Sequence, residues 1–140
     1  MALVATINKN GNRYFSRVKE QDGDFGDQLQ SMFVDAFEAF RKQNDGYYPK
    51  QVIIYRNGVG AGQKEALVDQ EFKQIDAARN QVKGMQGSKM MLVMCNTKVK
   101  TKMILDNKGR LDNPMPGTVL DHSIVKKDMY DFYLVSTVSR

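Results

Sequence analysis

Apolar residues in the first 18 positions fall into two short runs. Leu3, Val4, Ala5 and Ile7 form the first, and Arg13 to Val18 holds the second. Between them, Asn8-Lys9-Asn10-Gly11 is a turn signal, so the pair predicts a β-hairpin. Lys19 to Asp24 reads as a polar loop, with Asp24 placed to cap a helix. The period then changes. Leu29, Met32, Phe33, Ala36, Phe37 and Phe40 recur every three or four residues and predict a helix over 28–42. Three phenylalanines on one stripe read as core packing. Asn44-Asp45-Gly46 ends this helix, and Pro49 prevents its resumption. Gln51 to Arg56 (QVIIYR) is a β-branched and aromatic run that reads as a buried strand. A second helix is predicted over 63–82, carrying Leu67, Val68, Phe72, Ile75 and Val82. Gly84 to Ser88 breaks the chain, and Met90 to Cys95 (MMLVMC) reads as another buried strand. Strand, helix and strand in this order predict a βαβ unit with parallel strands. Beyond it, Lys98 to Met103 alternates polar and apolar positions, which on an extended chain puts Lys98, Lys100 and Lys102 on one side. Pro114 and Pro116 mark a loop, Gly117 to Leu120 a short strand, and Asp131 to Val138 a last strand.

A length of 140 residues suits one domain, and 41% hydrophobic with 26% charged residues suits a globular chain. No apolar run approaches the roughly 20 residues that span a bilayer, so no membrane partner is expected. The single Cys95 has no intramolecular disulfide partner, which fits a reducing, intracellular setting. With one histidine, His122, a zinc site of Cys and His ligands is excluded. The net charge of +5 favours anionic partners mildly.

Few residues advertise chemistry. Gly58, Gly60 and Gly62 are two apart, which matches neither a phosphate loop nor a dinucleotide fingerprint and reads as a tight turn. Position 57 matters more, because active groups of α/β folds gather at the ends of central parallel strands. An acid there could hold a divalent metal, but Asn57 is a neutral amide and a poor ligand for Mg²⁺. Asp121-His122 reads as a solvated dipeptide, and Cys95 as an inert small hydrophobe at the end of an apolar strand. The Lys98, Lys100, Lys102 alternation has two readings. Point charges on one strand face could meet successive phosphates, or they could guard an edge strand against aggregation.

Four segments carry a family resemblance: VATINKNGNRYFSR, YYPKQVIIYRNGVGAGQ, LDNPMPGTVLDHSIV and YDFYLVS. Together, in this order and spacing, they resemble the Piwi domain of Argonaute and Piwi proteins, and the Piwi branch more than the classical Argonaute branch. The resemblance covers almost the whole chain. It implies an α/β, RNase H-like fold, here a fragment with a βαβ core that lacks the first central strand and the C-terminal part. The resemblance also implies binding of a small guide RNA and a target RNA, in the cytoplasm or nucleus, in RNA silencing.

Some family members cut the target with two metal ions held by acidic residues. In this sequence the family's flexible-loop glutamate falls near Gln28, and the aspartate of its YRDG motif is Asn57. The first acid would precede Ala2, and the last ligand would follow Arg140. The expectation is therefore a non-cleaving segment with no cofactor. Two other readings stay open: a metal-dependent ribonuclease completed by segments absent here, and a protein-interaction module or self-associating chain that uses an open sheet edge. Nine methionines could serve adaptable contacts in the second case, but they read first as ordinary core. The resemblance places Lys98, Lys100 and Lys102 in the family's basic stretch near its nucleic-acid channel, which raises phosphate binding above edge protection.

Overall fold

The computed structural model describes residues 1–20, 28–58, 62, 65, 67–97, 99–126 and 130–137. The expected cap at Asp24, residues 59–61 of the glycine loop, the helix start at Gln63, Lys98 and the strand end at Val138 lie outside them. The chain divides into two compact units, Met1–Thr97 and Lys98–Arg140.

The first unit opens with the expected hairpin. Strands β1 (Ala2–Thr6) and β2 (Tyr14–Val18) pair antiparallel, Ala2 opposite Val18 and Thr6 opposite Tyr14. Asn8 organises the turn, its Oδ1 accepting from the backbone N–H groups of Asn12 and Arg13, both at 3.1 Å. Gly11 takes φ +65°, a value that glycine adopts without strain. Helix α1 (Gln28–Gln43) follows, with Leu29, Met32, Phe33, Ala36 and Phe37 buried. It ends as its sequence directs, in left-handed turns at Asp45 and Gly46, with the Gly46 N–H returning to the Arg41 carbonyl at 3.0 Å. The Asn44 amide donates to the carbonyls of Phe40 and Ile7, and an Arg17–Asp35 ion pair at 2.7 Å joins β2 to the helix side.

Strands β3 (Gln51–Asn57) and β4 (Lys89–Cys95) pair in parallel, Gln51 opposite Lys89 and Asn57 opposite Cys95. Their crossover contains a six-residue π-helical stretch, Leu67–Phe72, that runs into helix α2 (Lys73–Gln81) and a short 3₁₀ turn, Lys83–Met85. Ile75, Ala78, Val82 and Met85 join Leu29, Phe33 and Phe37 in one core. Val68 was expected on that face but is exposed, because the wider π winding rotates it out of the 3.6-residue phase. Buried Ser88 locks the entry to β4, its hydroxyl donating to the Pro49 carbonyl at 2.7 Å.

The two parallel strands are not buried on both faces, as their composition suggested. Val52, Ile54 and Met90 pack on the core, while Ile53, Tyr55 and Met91 face outward and are more than half exposed. Helices cover one face of this two-stranded ladder, and no second layer covers the other among the described residues.

The second unit holds two small antiparallel pairs. Strands β5 (Leu105–Asn107) and β6 (Arg110–Asp112) form a hairpin, and β7 (Val119–Leu120) pairs with β8 (Tyr133–Leu134). The first hairpin was not expected. Its signal is Asn107-Lys108-Gly109, where Lys108 (φ +54°) and Gly109 (φ +86°) supply the two positive angles of a tight turn. The expected last strand is shorter than read: among the described residues only Tyr133–Leu134 is paired. Residues 99–104 lie in no ladder, since period-two alternation without a partner strand gives the backbone nothing to pair with. No helix is long and apolar enough to cross a membrane among the described residues.

Gly84 generates a prediction. A Cβ there would stand 2.1 Å from Tyr48 Cδ2. That ring cannot easily yield, because its hydroxyl donates to Glu38 and the Arg41 guanidinium sits 5.7 Å from its centroid. Gly84→Ala is expected to lower unfolding stability by about 1–3 kcal/mol, measured in urea. On a Tyr48→Ala background most of that penalty should disappear.

Candidate nucleic-acid interface

Parallel pairing carries β3 to its end at Asn57, an exposed residue beside half-buried Cys95. The Asn57 side chain is already engaged, its Oδ1 accepting the Gly58 N–H at 2.8 Å. This is the local side-chain-to-backbone bond that asparagine readily makes, and Gly58 turns away at φ +81°. Arg56 fixes the strand end from the inner side. Its Nε and Nη2 donate to the two carboxylate oxygens of Glu71 at 2.8 and 3.0 Å, and its Nη1 donates to the Asn57 carbonyl at 2.6 Å. The Glu71 carboxylate raises the pKa of Arg56 further, so the guanidinium stays charged and paired. The strand end therefore presents a neutral amide beside a neutralised ion pair.

Gln28 is the first residue of α1, where its carbonyl accepts the Ser31 hydroxyl at 2.9 Å. No described interaction joins it to Asn57. No three His, Cys, Asp or Glu side chains gather closely enough to hold a metal ion among the described residues. Asp121 and His122 make a side-chain contact at 3.1 Å, but both are largely solvent-exposed, as expected of a surface dipeptide.

The lysines expected to meet phosphates lie in the second unit. Lys100 and Lys102 are exposed in the irregular segment, neither is ion-paired among the described residues, and Met103 beside them is half-buried. The tight turn adds two cations that the sequence reading passed over. Lys108 sits at the tip of the β5–β6 hairpin and Arg110 opens β6, both exposed. From 98 to 112 the sequence holds five Lys and Arg residues and two acids, Asp106 and Asp112. Asp106 is itself occupied, its Oδ1 accepting the Gly109 N–H at 2.8 Å. The arrangement can attract and hold anionic groups along the chain, without the planar paired donors that read base edges.

A family model described as the Piwi domain matches residues 1–140. The chain belongs to the Piwi family. Among its relatives, Piwi-like protein Ago3 of Bombyx mori is 33% identical over 137 residues, covering 96% of this chain and 15% of that protein. Protein argonaute-3 of Drosophila melanogaster is 32% identical and Piwi-like protein 1 of Danio rerio 30%, each alignment covering 99% of this chain and 16% of the relative. This Piwi-family chain thus spans about one sixth of the length of the curated relatives it matches. The family assignment rests on the whole chain, so the resemblance read from the four segments is established.

The Arg56–Glu71 pair sets a measurable expectation at the strand end. Glu71→Gln removes the charge partner of a guanidinium that is 43% exposed. Stability should fall by about 1 kcal/mol at low salt and by less at high salt, because ions screen partly exposed pairs. Urea unfolding at two ionic strengths checks both parts.

Proposed function

We propose that this chain is the part of a Piwi-type protein that holds a small guide RNA and its target, and that it does not cut RNA. The observation that carries this reading is the Piwi domain match along all 140 residues. The basic stretch gives it a physical means. Lysine ammonium groups on an exposed segment bind phosphates as point charges and release condensed counterions, which gives affinity without sequence preference. Lys100 and Lys102 are exposed for that role, with Lys98 in the same stretch of sequence and Lys108 and Arg110 close behind. The hairpin followed by a βαβ unit is read as part of an RNase H-like sheet, working in the cytoplasm or nucleus.

The non-cleaving part rests on Asn57. A divalent ion that activates water needs anionic oxygen ligands, and an amide supplies an oxygen without the charge. Asn57 also spends its oxygen on the Gly58 N–H, which leaves it a weaker donor still. Gln28, the second position that the family resemblance connects with an acid, is neutral for the same reason.

Two outcomes are expected. In mobility-shift titrations with unrelated single-stranded RNAs, replacing Lys100 and Lys102 together by Gln should weaken binding to the same degree for each RNA. The slope of log affinity against log salt should shrink by about 1 to 1.5, the loss of two phosphate contacts. Undiminished binding would exclude these lysines from the interface. In the second experiment, the unmodified chain with guide, target and Mg²⁺ or Mn²⁺ should leave the target intact. Asn57→Asp alone should not change that, since one carboxylate cannot hold a two-metal site. Guided cleavage at one position by the unmodified chain would overturn the assignment.

A further inference from the structure

Two Asn-Gly pairs stand in the chain, Asn10-Gly11 and Asn57-Gly58. In such a pair the glycine backbone nitrogen can attack the asparagine side-chain Cγ, because glycine has no Cβ to shield it. Ammonia leaves and a succinimide ring closes. Water then adds to either ring carbonyl. Opening on one side gives aspartate. Opening on the other gives isoaspartate, whose main chain runs through the former side-chain carbon. Overall, an amide and water become a carboxylate and ammonia, with no oxidant and no enzyme. The demand is geometric: Cγ must come over a backbone nitrogen whose N–H is free to give up its proton.

The fold treats the two pairs differently. Half-buried Gly11 donates its N–H to the Asn8 carbonyl at 3.2 Å, and the Asn8 side chain ties down the next two N–H groups, those of Asn12 and Arg13. Gly11 must leave that turn before its nitrogen can react. Gly58 is exposed, and its N–H donates to Oδ1 of Asn57 itself at 2.8 Å. Acceptor and electrophile are then one amide group, a single bond apart. Turning that amide about its Cβ–Cγ bond breaks the contact and presents Cγ to the nitrogen in the same motion. We propose that Asn57-Gly58 is a self-modification site of this chain, which deamidates through a succinimide with water as the only co-reactant, ahead of Asn10-Gly11. The strand end accepts both products. Asn57 is the last residue of β3, opposite Cys95, so the extra main-chain atom of isoaspartate falls where the parallel ladder stops. Arg56, whose Nη1 already donates to the Asn57 carbonyl at 2.6 Å, stands beside the new carboxylate. Deamidation thus places a negative charge, accumulating with the age of the chain, where the unmodified strand end presents a neutral amide. The inference needs neither RNA nor a metal, so its outcome is separate from that of the RNA reading.

The test incubates the full chain at physiological temperature over a range of pH, then maps the peptides holding Asn10 and Asn57 by mass spectrometry. Deamidation at Asn57 is expected to run about fivefold faster than at Asn10, the factor by which one intramolecular hydrogen bond holds its group closed. The rate should rise with hydroxide, and the product should contain isoaspartate as well as aspartate. In urea, where the hairpin turn is lost, the two sites should converge. Asn57→Gln, which requires a larger ring, should abolish the change at position 57 and leave the rate at Asn10 as it was. Equal rates in the folded chain, or faster loss at Asn10, overturn the proposal. A preference for Asn57 that persists unchanged in urea does so too, since sequence and not the fold would then set the order. Aspartate without isoaspartate would mean direct hydrolysis with no ring, and equally contradicts it.

Discussion

The rings of Phe33 and Phe37 on α1, 6.0 Å apart and packed with Ile75 and Ala78 of α2, form the surface on which both strand pairs of the first unit rest. Met1 and Leu3 reach it from the hairpin, and Val52, Ile54 and Met90 from the parallel pair. Because the pairs share no backbone hydrogen bond among the described residues, this apolar surface holds them in one unit. A two-stranded ladder is marginal alone in water, so burying one face on the helices is what makes each pair persist. The polar ties at the margins are partly exposed and add less. Arg17–Asp35 and the Asn44 amide fix how the hairpin sits on α1 rather than supplying most of the stability.

The first unit was legible because its signals are local and agree with one another. The phenylalanine stripe, the Asn44-Asp45-Gly46 stop, and two apolar runs separated by a helix each point to the same arrangement, and the structure shows it. What composition could not give was the number of covered faces. QVIIYR and MMLVMC look like strands buried on both sides, and that pattern reflects what they would favour as neighbours, not what lies beside them here. The π stretch was hidden for a different reason, since a change in helical winding leaves no mark on apolar spacing. In the second unit residues 99–104 join no ladder, because a strand needs a partner as well as a period. The hairpin next to it was readable from Lys108-Gly109 and was passed over.

The candidate site divides in the same way. Asn57 could be placed from sequence, because the end of a parallel strand is fixed by the runs around it, and the structure puts it there. Its engagement with Gly58 and the Arg56–Glu71 brace beside it depend on groups 1 and 15 residues away, and no pattern announced them. The basic stretch was visible as charge but not as shape. Its value to the RNA reading lies in exposure, a property of the folded chain. Family membership connects these pieces, while electrostatics says what they can do: attract a phosphate backbone broadly, without choosing a sequence.

Ultraviolet cross-linking of the chain to single-stranded RNA, with the adducts located by mass spectrometry, tests the central claim most directly. The account predicts adducts concentrated between residues 98 and 112, with the same map for unrelated RNAs, and their loss as salt rises. Adducts confined to the first unit, or a map that depends on the RNA sequence and persists in high salt, would contradict it.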